Sequence, residues 1–242
     1  MESYINEKKK LYTAILEFLE KPEDYYDKMN EIFFEKLSTI IKDQVIDKDH
    51  EEMQEFLQII KNINDNHHRE PIFITKTEQI LLHYKDQIKQ NLTNDEIFDL
   101  FQDNKLLVLY LLEKDIITMT ESISEKMMNK LEFNGNRYCH FFIPELEHFL
   151  GEEKMKDIKN DLLKKQPTAF DDYDKKRHEG ENESPICSMM RKDSVEDFIS
   201  YINHKNYSLS SQIIPSIFET NSFLINRKNT TLIEYSAFFG SI

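Results

Sequence analysis

The chain has 242 residues and a formal net charge of −14, with 39% hydrophobic and 12% aromatic residues. This hydrophobic content is sufficient for a packed core and excludes wholesale disorder. The acidic charge argues against nucleic acid and acidic membrane surfaces as partners, because phosphate groups favour clustered Lys and Arg.

Membrane insertion and secretion are also disfavoured. The longest uninterrupted apolar run is residues 106–112, seven residues, whereas a spanning helix needs about 20. The first ten residues, MESYINEKKK, lack the apolar segment of a signal peptide. Two cysteines make no disulfide framework, so we expect an intracellular, cytoplasmic location.

Glycine usage excludes the common nucleotide-binding motifs. The four glycines are Gly135, Gly151, Gly180 and Gly240, and no two lie closer than 16 residues. A dinucleotide-binding turn or a phosphate-binding loop needs several glycines within a few residues. We therefore expect no nucleotide-dependent catalysis, and the sequence predicts no cofactor.

Apolar residues at spacings of three and four predict an all-α region over residues 1–165. Its short joins favour antiparallel helical hairpins, stacked as in an α-solenoid. Pro22 fits the first position of the second helix. The predicted helices cover residues 4–19, 22–41, 53–63, 75–88, 93–101, 106–112, 116–131, 138–149 and 155–163.

Two of these helices begin with a capping-box pattern, Thr75 with Glu78 and Thr93 with Glu96. Residues 72–74, three apolar residues after Pro71, are predicted to be extended. The helix at residues 106–112 is apolar on every side, so we expect it to be buried in the centre of its array.

Residues 166–183 are acidic and poor in apolar side chains, which predicts a loop or linker. The region 184–242 then contains two similar patterns. Residues 184–202 predict a short helix, a turn at Asp193 and a second helix, and residues 231–242 partly repeat that pattern. Between them we expect an insertion helix at residues 213–218 and an extended piece at residues 223–225.

This C-terminal quarter resembles the ankyrin repeat, whose signature begins T-P-L-H-x-A. The first copy matches it at Ser184, Pro185, Ile186, Glu196 and Phe198, and the second at Thr231, Ile233, Ser236, Ala237 and Gly240. Cys187 and Glu234 stand in place of the signature His, and Asp193 in place of the turn Gly. The two copies are 231 − 184 = 47 residues apart, against about 33 in the family.

The segment TTLIEYSAFFGSI is similar to divergent ankyrin proteins of expanded parasitic-protist families, which carry a helical N-terminal region. The resemblance implies binding to other proteins, without chemistry. We expect the loop tips and turns to make the contacts, although each residue also fits a solvated surface. The candidate residues are Arg191, Lys192, Asn226, Arg227, Lys228 and Asn229.

Two other functions remain open. In one, the N-terminal helices of an adaptor recruit a second machine, such as a ubiquitin ligase. In the other, the chain is an enzyme with a helical metal site. Glu145-x-x-His148 has the spacing of a di-iron helix, and Cys139-His140 with Cys187 or His178 offers zinc ligands. Neither pattern is paired with the second motif that such sites need.

The sequence ends where the second helix of the last repeat should begin. Phe238 and Phe239 have no polar cap after them, and terminal repeats need one. We therefore expect the sequence to be part of a longer array, or to self-associate through this end.

Overall fold

The structure is a computed structural model that describes residues 2–20, 26–43, 49–66, 71–132, 135–227 and 229–241. Within these ranges the fold is all-α, as predicted: fifteen α-helices and one 3-10 helix are present, and no strand. Strand-like pairing in the described ranges is limited to isolated bridges, Leu131 with Arg137 and Gln212 with Thr231. None of the described helices has both the length and the apolar character needed to cross a membrane.

The chain divides into two compact units. Unit 1 comprises Met1–Gln102 and Tyr110–Thr118, and unit 2 comprises Asp103–Leu109 and Met119–Ile242. This division differs from the predicted regions, which are residues 1–165 and 184–242 with a linker at 166–183. Those domain limits stay a prediction.

The helices of unit 1 bury their apolar side chains. Met53, Phe56, Leu57 and Ile60 of the third helix are at most 1% exposed. Burying side chains of this size stabilises a fold by about 1.5–3 kcal/mol each. The helices are α1 (Glu2–Leu19), α2 (Tyr26–Asp43), α3 (His50–Asn66), α4 (Pro71–His83), α5 (Lys85–Asn91) and α6 (Asn94–Phe101).

A buried lysine closes the C-terminal end of α1. Lys76, on α4, is 3% exposed, and its Nζ donates to the carbonyl oxygens of Phe18 at 2.8 Å and Leu19 at 3.1 Å. The last carbonyls of a helix have no partner within the helix, so an ammonium group there is favourable. Lys76 thus fixes where α1 ends against α4.

The start of α4 differs from the prediction. Residues 72–74 are helical rather than extended, because α4 begins at Pro71 and places Thr75 inside the helix instead of at its cap. Proline is favoured in the first helical turn, where its missing N–H costs nothing. The capping box of Thr93 and Glu96 at α6 is confirmed. Pro22 lies outside the described residues.

The next helix, α7 (Lys105–Glu113), confirms the helix expected at residues 106–112. Its first half belongs to unit 2 and its second half to unit 1. Leu107, Val108, Leu109 and Leu111 are at most 1% exposed, as the apolar sequence predicts for a central helix.

Where its residues are described, unit 2 continues with one 3-10 helix and eight α-helices. The helix expected over residues 116–131 begins only at Glu121, because the hydroxyl of Thr120 caps it by accepting from the N–H of Ile123. The elements are α8 (Glu121–Asn129), the 3-10 helix η1 (Tyr138–His140), α9 (Ile143–Leu150), α10 (Glu152–Lys165), α11 (Tyr173–Glu179), α12 (Pro185–Arg191), α13 (Val195–Lys205), α14 (Ser222–Ile225) and α15 (Leu232–Phe239).

Buried charges tie these elements together. Lys105 and Glu132 form an ion pair with 2.7 Å between Nζ and Oε1, and their side chains are 1% and 3% exposed. Lys105 Nζ also donates to the carbonyl of Ile217 at 2.9 Å. Removing one partner of such a pair costs about 3–5 kcal/mol, because the other charge is left buried. Lys105 therefore fixes the start of α7 against Glu132, which follows α8, and against the segment before α14.

The predicted linker at residues 166–183 is not a plain loop. It contains α11, and Tyr173 and Arg177 of this helix are buried. Arg177 Nη1 donates to Glu145 at 2.7 Å and to the carbonyl of Phe141 at 3.1 Å. Long side chains with a polar end, such as those of Tyr173 and Arg177, can bury their apolar part. The composition of this segment therefore did not indicate that a helix here would be buried.

Candidate protein-binding surface

The C-terminal helices of unit 2 share one apolar core. The helix–turn–helix predicted over residues 184–202 is present as α12 and α13, with Asp193 in the turn at φ 51°. Phe198, Tyr201 and Ile202 of α13 pack against this core while remaining partly exposed. The buried members are Ile186, Cys187, Met190, Ile213, Leu224, Leu232, Tyr235 and Phe238.

The segment between the two patterns differs from the prediction. The insertion helix expected over residues 213–218 is absent from the described residues, and the extended piece expected over residues 223–225 is the helix α14. Residues near 213 run beside those near 231 instead, with the N–H of Ile213 donating to the carbonyl of Thr230 at 2.8 Å. Pro215 lacks the N–H that a helix interior would use, which favours this irregular course.

Arg191 lies among contacts inside the unit rather than at its surface. Its Nη1 donates to the hydroxyl of Tyr235 at 2.7 Å and to the carbonyl of Asn182 at 2.9 Å. Its Nε lies 2.7 Å from a carboxylate oxygen of Glu181, and the side chain is 13% exposed. Arg191 therefore ties α12 to α15 and to the preceding turn. The neighbouring Lys192 is exposed at the end of α12.

The predicted finger follows α14. Asn226 ends that helix, and its N–H donates to the carbonyl of Ser222 at 2.9 Å. Asn229 has φ 70°, a left-handed conformation that asparagine tolerates better than most residues. Lys228 lies outside the described residues.

Arg227 contacts two side chains, one aromatic and one acidic. Its guanidinium lies 4.2 Å from the centre of the Phe223 ring, and its Nη1 lies 3.6 Å from Glu234 Oε1. Phe223 in turn stacks on the buried Phe238, with ring centres 5.2 Å apart. Phe223 and Arg227 remain 43% and 46% exposed. We call Phe223, Arg227 and Glu234 the finger cluster.

Glu234 has a second role at the start of α15. Its carboxylate accepts from the N–H and hydroxyl of Thr231, at 2.9 and 2.8 Å, in a complete capping box. These hydrogen bonds lower the pKa of Glu234, so that it stays charged beside Arg227. The sequence could have predicted this capping box, because Thr231-x-x-Glu234 has the same spacing as Thr93-x-x-Glu96.

A buried carboxyl lines a small cavity together with Arg227. Glu219 is 6% exposed and accepts from the N–H of Asn221 at 3.0 Å. With Arg227, Asn229 and Tyr235 it lines a cavity of about 30 Å³, which has room for a water molecule. Burial raises the pKa of Glu219 to about 7, and Lys105 and Arg191 partly oppose this shift.

The predicted uncapped end has a different environment from the one expected. Phe238 is 5% exposed, and Gly240 ends α15 in a left-handed conformation at φ 71°. The N–H of Ser241 donates to the carbonyl of Ser236 at 3.1 Å, which is the C-terminal closure that glycine permits. Phe238 is thus buried within unit 2, and self-association through this end stays a prediction.

Several of the residues considered for a metal site have other contacts or are buried. Glu145 binds Arg177, and burial lowers the pKa of His140 to about 4. Cys139 and Cys187 are free and 0% exposed. Across the described part of the chain, no group of three or more His, Cys, Asp or Glu side chains has a geometry that could hold a metal ion.

Comparison of the whole chain with protein-family models, with curated proteins and with solved structures finds no match in any of the three.

Proposed function

We propose that the chain is a protein-binding module of the ankyrin-repeat type, without catalytic activity, and that the finger cluster is a contact surface for another protein. The observation that carries this proposal is the exposed Arg227 side chain, which contacts both Phe223 and Glu234. Arginine and aromatic residues dominate the energetics of protein interfaces. A side chain already held in place loses less conformational entropy on binding.

The electrostatics support a protein partner. The formal net charge of −14 disfavours a phosphate backbone as the ligand. The guanidinium of Arg227 offers a planar, always charged donor that can meet a carboxylate or a carbonyl group on a partner. The helix–turn–helix of α12 and α13, followed by α15, supports the resemblance to ankyrin repeats.

Affinity purification with the full chain tests this proposal. The tagged chain is incubated with an extract of its own cells, and the bound proteins are quantified by mass spectrometry. Arg227→Glu should lose a defined set of proteins that the natural chain retains. Lys164→Glu, the same charge change at an exposed position of α10, is the control and should retain them. Retention of every protein by Arg227→Glu would contradict the proposal.

The division into two compact units favours a second candidate, an adaptor in which unit 1 recruits another machine. Unit 1 exposes Ile32 on α2 to 55% and Ile5 on α1 to 58%. The same purification with Ile32→Asp distinguishes the two. An adaptor should lose one set of proteins with Ile32→Asp and a different set with Arg227→Glu, whereas a single-surface binder should lose proteins only with Arg227→Glu.

A further inference from the structure

The cavity that Glu219 and Arg227 share extends from the surface of unit 2 to a buried carboxyl. Its lining includes the exposed residues Pro215, Arg227 and Asn229 as well as the buried residues Glu219 and Tyr235. An arginine on the exposed side and a glutamate on the buried side therefore border the same small space.

Both of these side chains have hydrogen-bonding capacity left over. Glu219 accepts from the N–H of Asn221 through Oε1, at 3.0 Å, and none of the described residues donates to its Oε2. Arg227 has five side-chain N–H groups, and none of them donates a hydrogen bond to a residue that the structure describes. The 3.6 Å from its Nη1 to Glu234 exceeds the length of about 2.7–2.9 Å of a charge-assisted hydrogen bond. Arg227 can therefore change acceptors without breaking a hydrogen bond among these residues.

The charge of Glu219 depends on the groups around it, and burial raises its pKa to about 7. The two nearby cations favour the charged form, whereas the nearby carboxylate opposes it. Burial also raises the pKa of the thiol and of the phenol, so both stay neutral near pH 7. These surrounding groups are Lys105 of α7, Glu181 before α12, Cys187 and Arg191 of α12, and Tyr235 of α15.

We propose that Arg227 changes position with the charge of Glu219, which makes the finger cluster a pH-sensitive surface. When Glu219 is protonated, Arg227 lies against Phe223 and Glu234, in the arrangement described above. When Glu219 is charged, the guanidinium turns into the cavity and donates to Oε2, because a buried charge is costly unless it is paired and hydrogen-bonded. Phe223 then loses the cation that covers its ring. The effect on binding rests on the proposed function, whereas the movement of Arg227 does not.

NMR of the full chain tests the movement without any partner. The carboxyl carbon of Glu219 and the Hδ protons of Arg227 are followed from about pH 5 to about pH 8, the range around the raised pKa. Both should change with one common midpoint, and the Hδ protons should lose the ring-current shift that Phe223 causes. Glu219→Gln should hold the Arg227 signals constant over this range. Glu179→Gln, at an exposed position of α11, is the matched control and should leave the transition unchanged.

A second variant tests the same coupling from the other side. Because a nearby cation favours a charged carboxyl, Arg227→Gln should raise the midpoint of Glu219 by about one pH unit. Lys164→Gln, the same loss of charge at an exposed position of α10, should leave the midpoint unchanged. Arg227 signals that stay constant while Glu219 titrates, or that still change in Glu219→Gln, would overturn the proposal. An unchanged midpoint in Arg227→Gln, or a Glu219 carboxyl that does not titrate in this range, would overturn it as well.

The effect on binding is measured by affinity purification with the full chain at about pH 6 and about pH 8. The natural chain should retain at least about fivefold less of the Arg227-dependent proteins at the higher pH, and Glu219→Gln should retain equal amounts at both. Equal retention by the natural chain at the two pH values would contradict regulation of this surface. If Arg227→Glu loses no protein, the proposed function fails, and the NMR titration still decides whether Arg227 moves.

Discussion

The carboxyl group of Glu219 lies inside unit 2, where burial raises its pKa to about 7. In the unfolded chain the pKa returns to about 4.5, so the folded state binds the proton more tightly. Glu219 therefore lowers stability progressively as the pH rises from about 4.5 to about 7, and the full penalty remains above that range.

Glu219→Gln should remove this penalty, because glutamine is uncharged and keeps an oxygen to accept from Asn221. The variant should be more stable than the natural chain by about 3 kcal/mol at pH 8, and by much less at pH 5. Urea unfolding at both pH values measures the difference. Glu153→Gln, at an exposed position of α10, should show little difference at either pH. A Glu219→Gln difference that does not change with pH would contradict the assignment.

Asp193 occupies the left-handed conformation in the turn between α12 and α13, at φ 51°. Glycine adopts this conformation without steric cost, whereas other residues lose about 1–2 kcal/mol, and Asp somewhat less. Asp193→Gly should therefore stabilise the chain by about 1 kcal/mol in urea unfolding. The opposite sign is expected for Asp197→Gly, which places glycine within the first turn of α13. Equal effects at the two positions would be inconsistent with this account.

At the scale of elements, the start of α15 depends on the capping box of Thr231 and Glu234. The Thr231 hydroxyl accepts from the N–H of Glu234 at 3.3 Å, and Glu234 bonds back to Thr231. Thr231→Ala should cost about 1 kcal/mol of stability, the usual effect of losing an N-cap.

The same substitution at Thr93, which caps α6 in unit 1, should cost a similar amount. Only Thr231→Ala should also loosen Arg227, because Glu234 then loses one of the two groups that position it. Hydrogen exchange at residues 226 to 235 measures this loosening. Equal exchange in the two variants would show that the capping box does not support the finger cluster.

The elements that could be predicted from sequence are those whose apolar spacing is regular or whose caps follow a local rule. Leu107, Val108 and Leu111 marked α7, and Thr93 marked α6, because both signals depend only on neighbouring residues. Residues 223–225 were predicted to be extended, since three apolar residues in a row fit either state. They are helical because Asn221 caps them, its side chain accepting from the N–H of Phe223 at 3.0 Å.

The candidate surface was predicted only in part. Arg227 was identified as a candidate from its place in a polar tip, but its partner Phe223 was not, because a cation over a ring is a tertiary contact. Arg191 is likewise partly buried because it donates a hydrogen bond to the hydroxyl of Tyr235, which lies 44 residues away in the sequence. Local patterns do not specify contacts at such separations.

At the scale of the whole molecule, the formal net charge is −14, from 45 acidic and 31 basic side chains. Like charges on a folded chain repel, and salt screens the repulsion over about 10 Å at 0.1 M. The melting temperature should therefore rise by a few degrees as sodium chloride is raised from about 0.05 M to about 0.5 M. Scanning calorimetry measures this. A melting temperature that falls with salt would show that attractive ion pairs, such as that between Lys8 and Glu55 at 2.7 Å, outweigh the net repulsion.

The thiols of Cys139 and Cys187 are free and buried in unit 2, so the rate at which they react reports how often the unit opens. Burial raises the pKa of Cys139 and raises that of Cys187 to about 11, so each sulfur is a poor nucleophile until water reaches it. Alkylation by iodoacetamide then proceeds only through transiently opened molecules, and its rate gives the free energy of that opening at each site. Cys139 precedes α9 and Cys187 lies in α12. A difference between the two alkylation rates would therefore show which of these two parts of the unit opens more often.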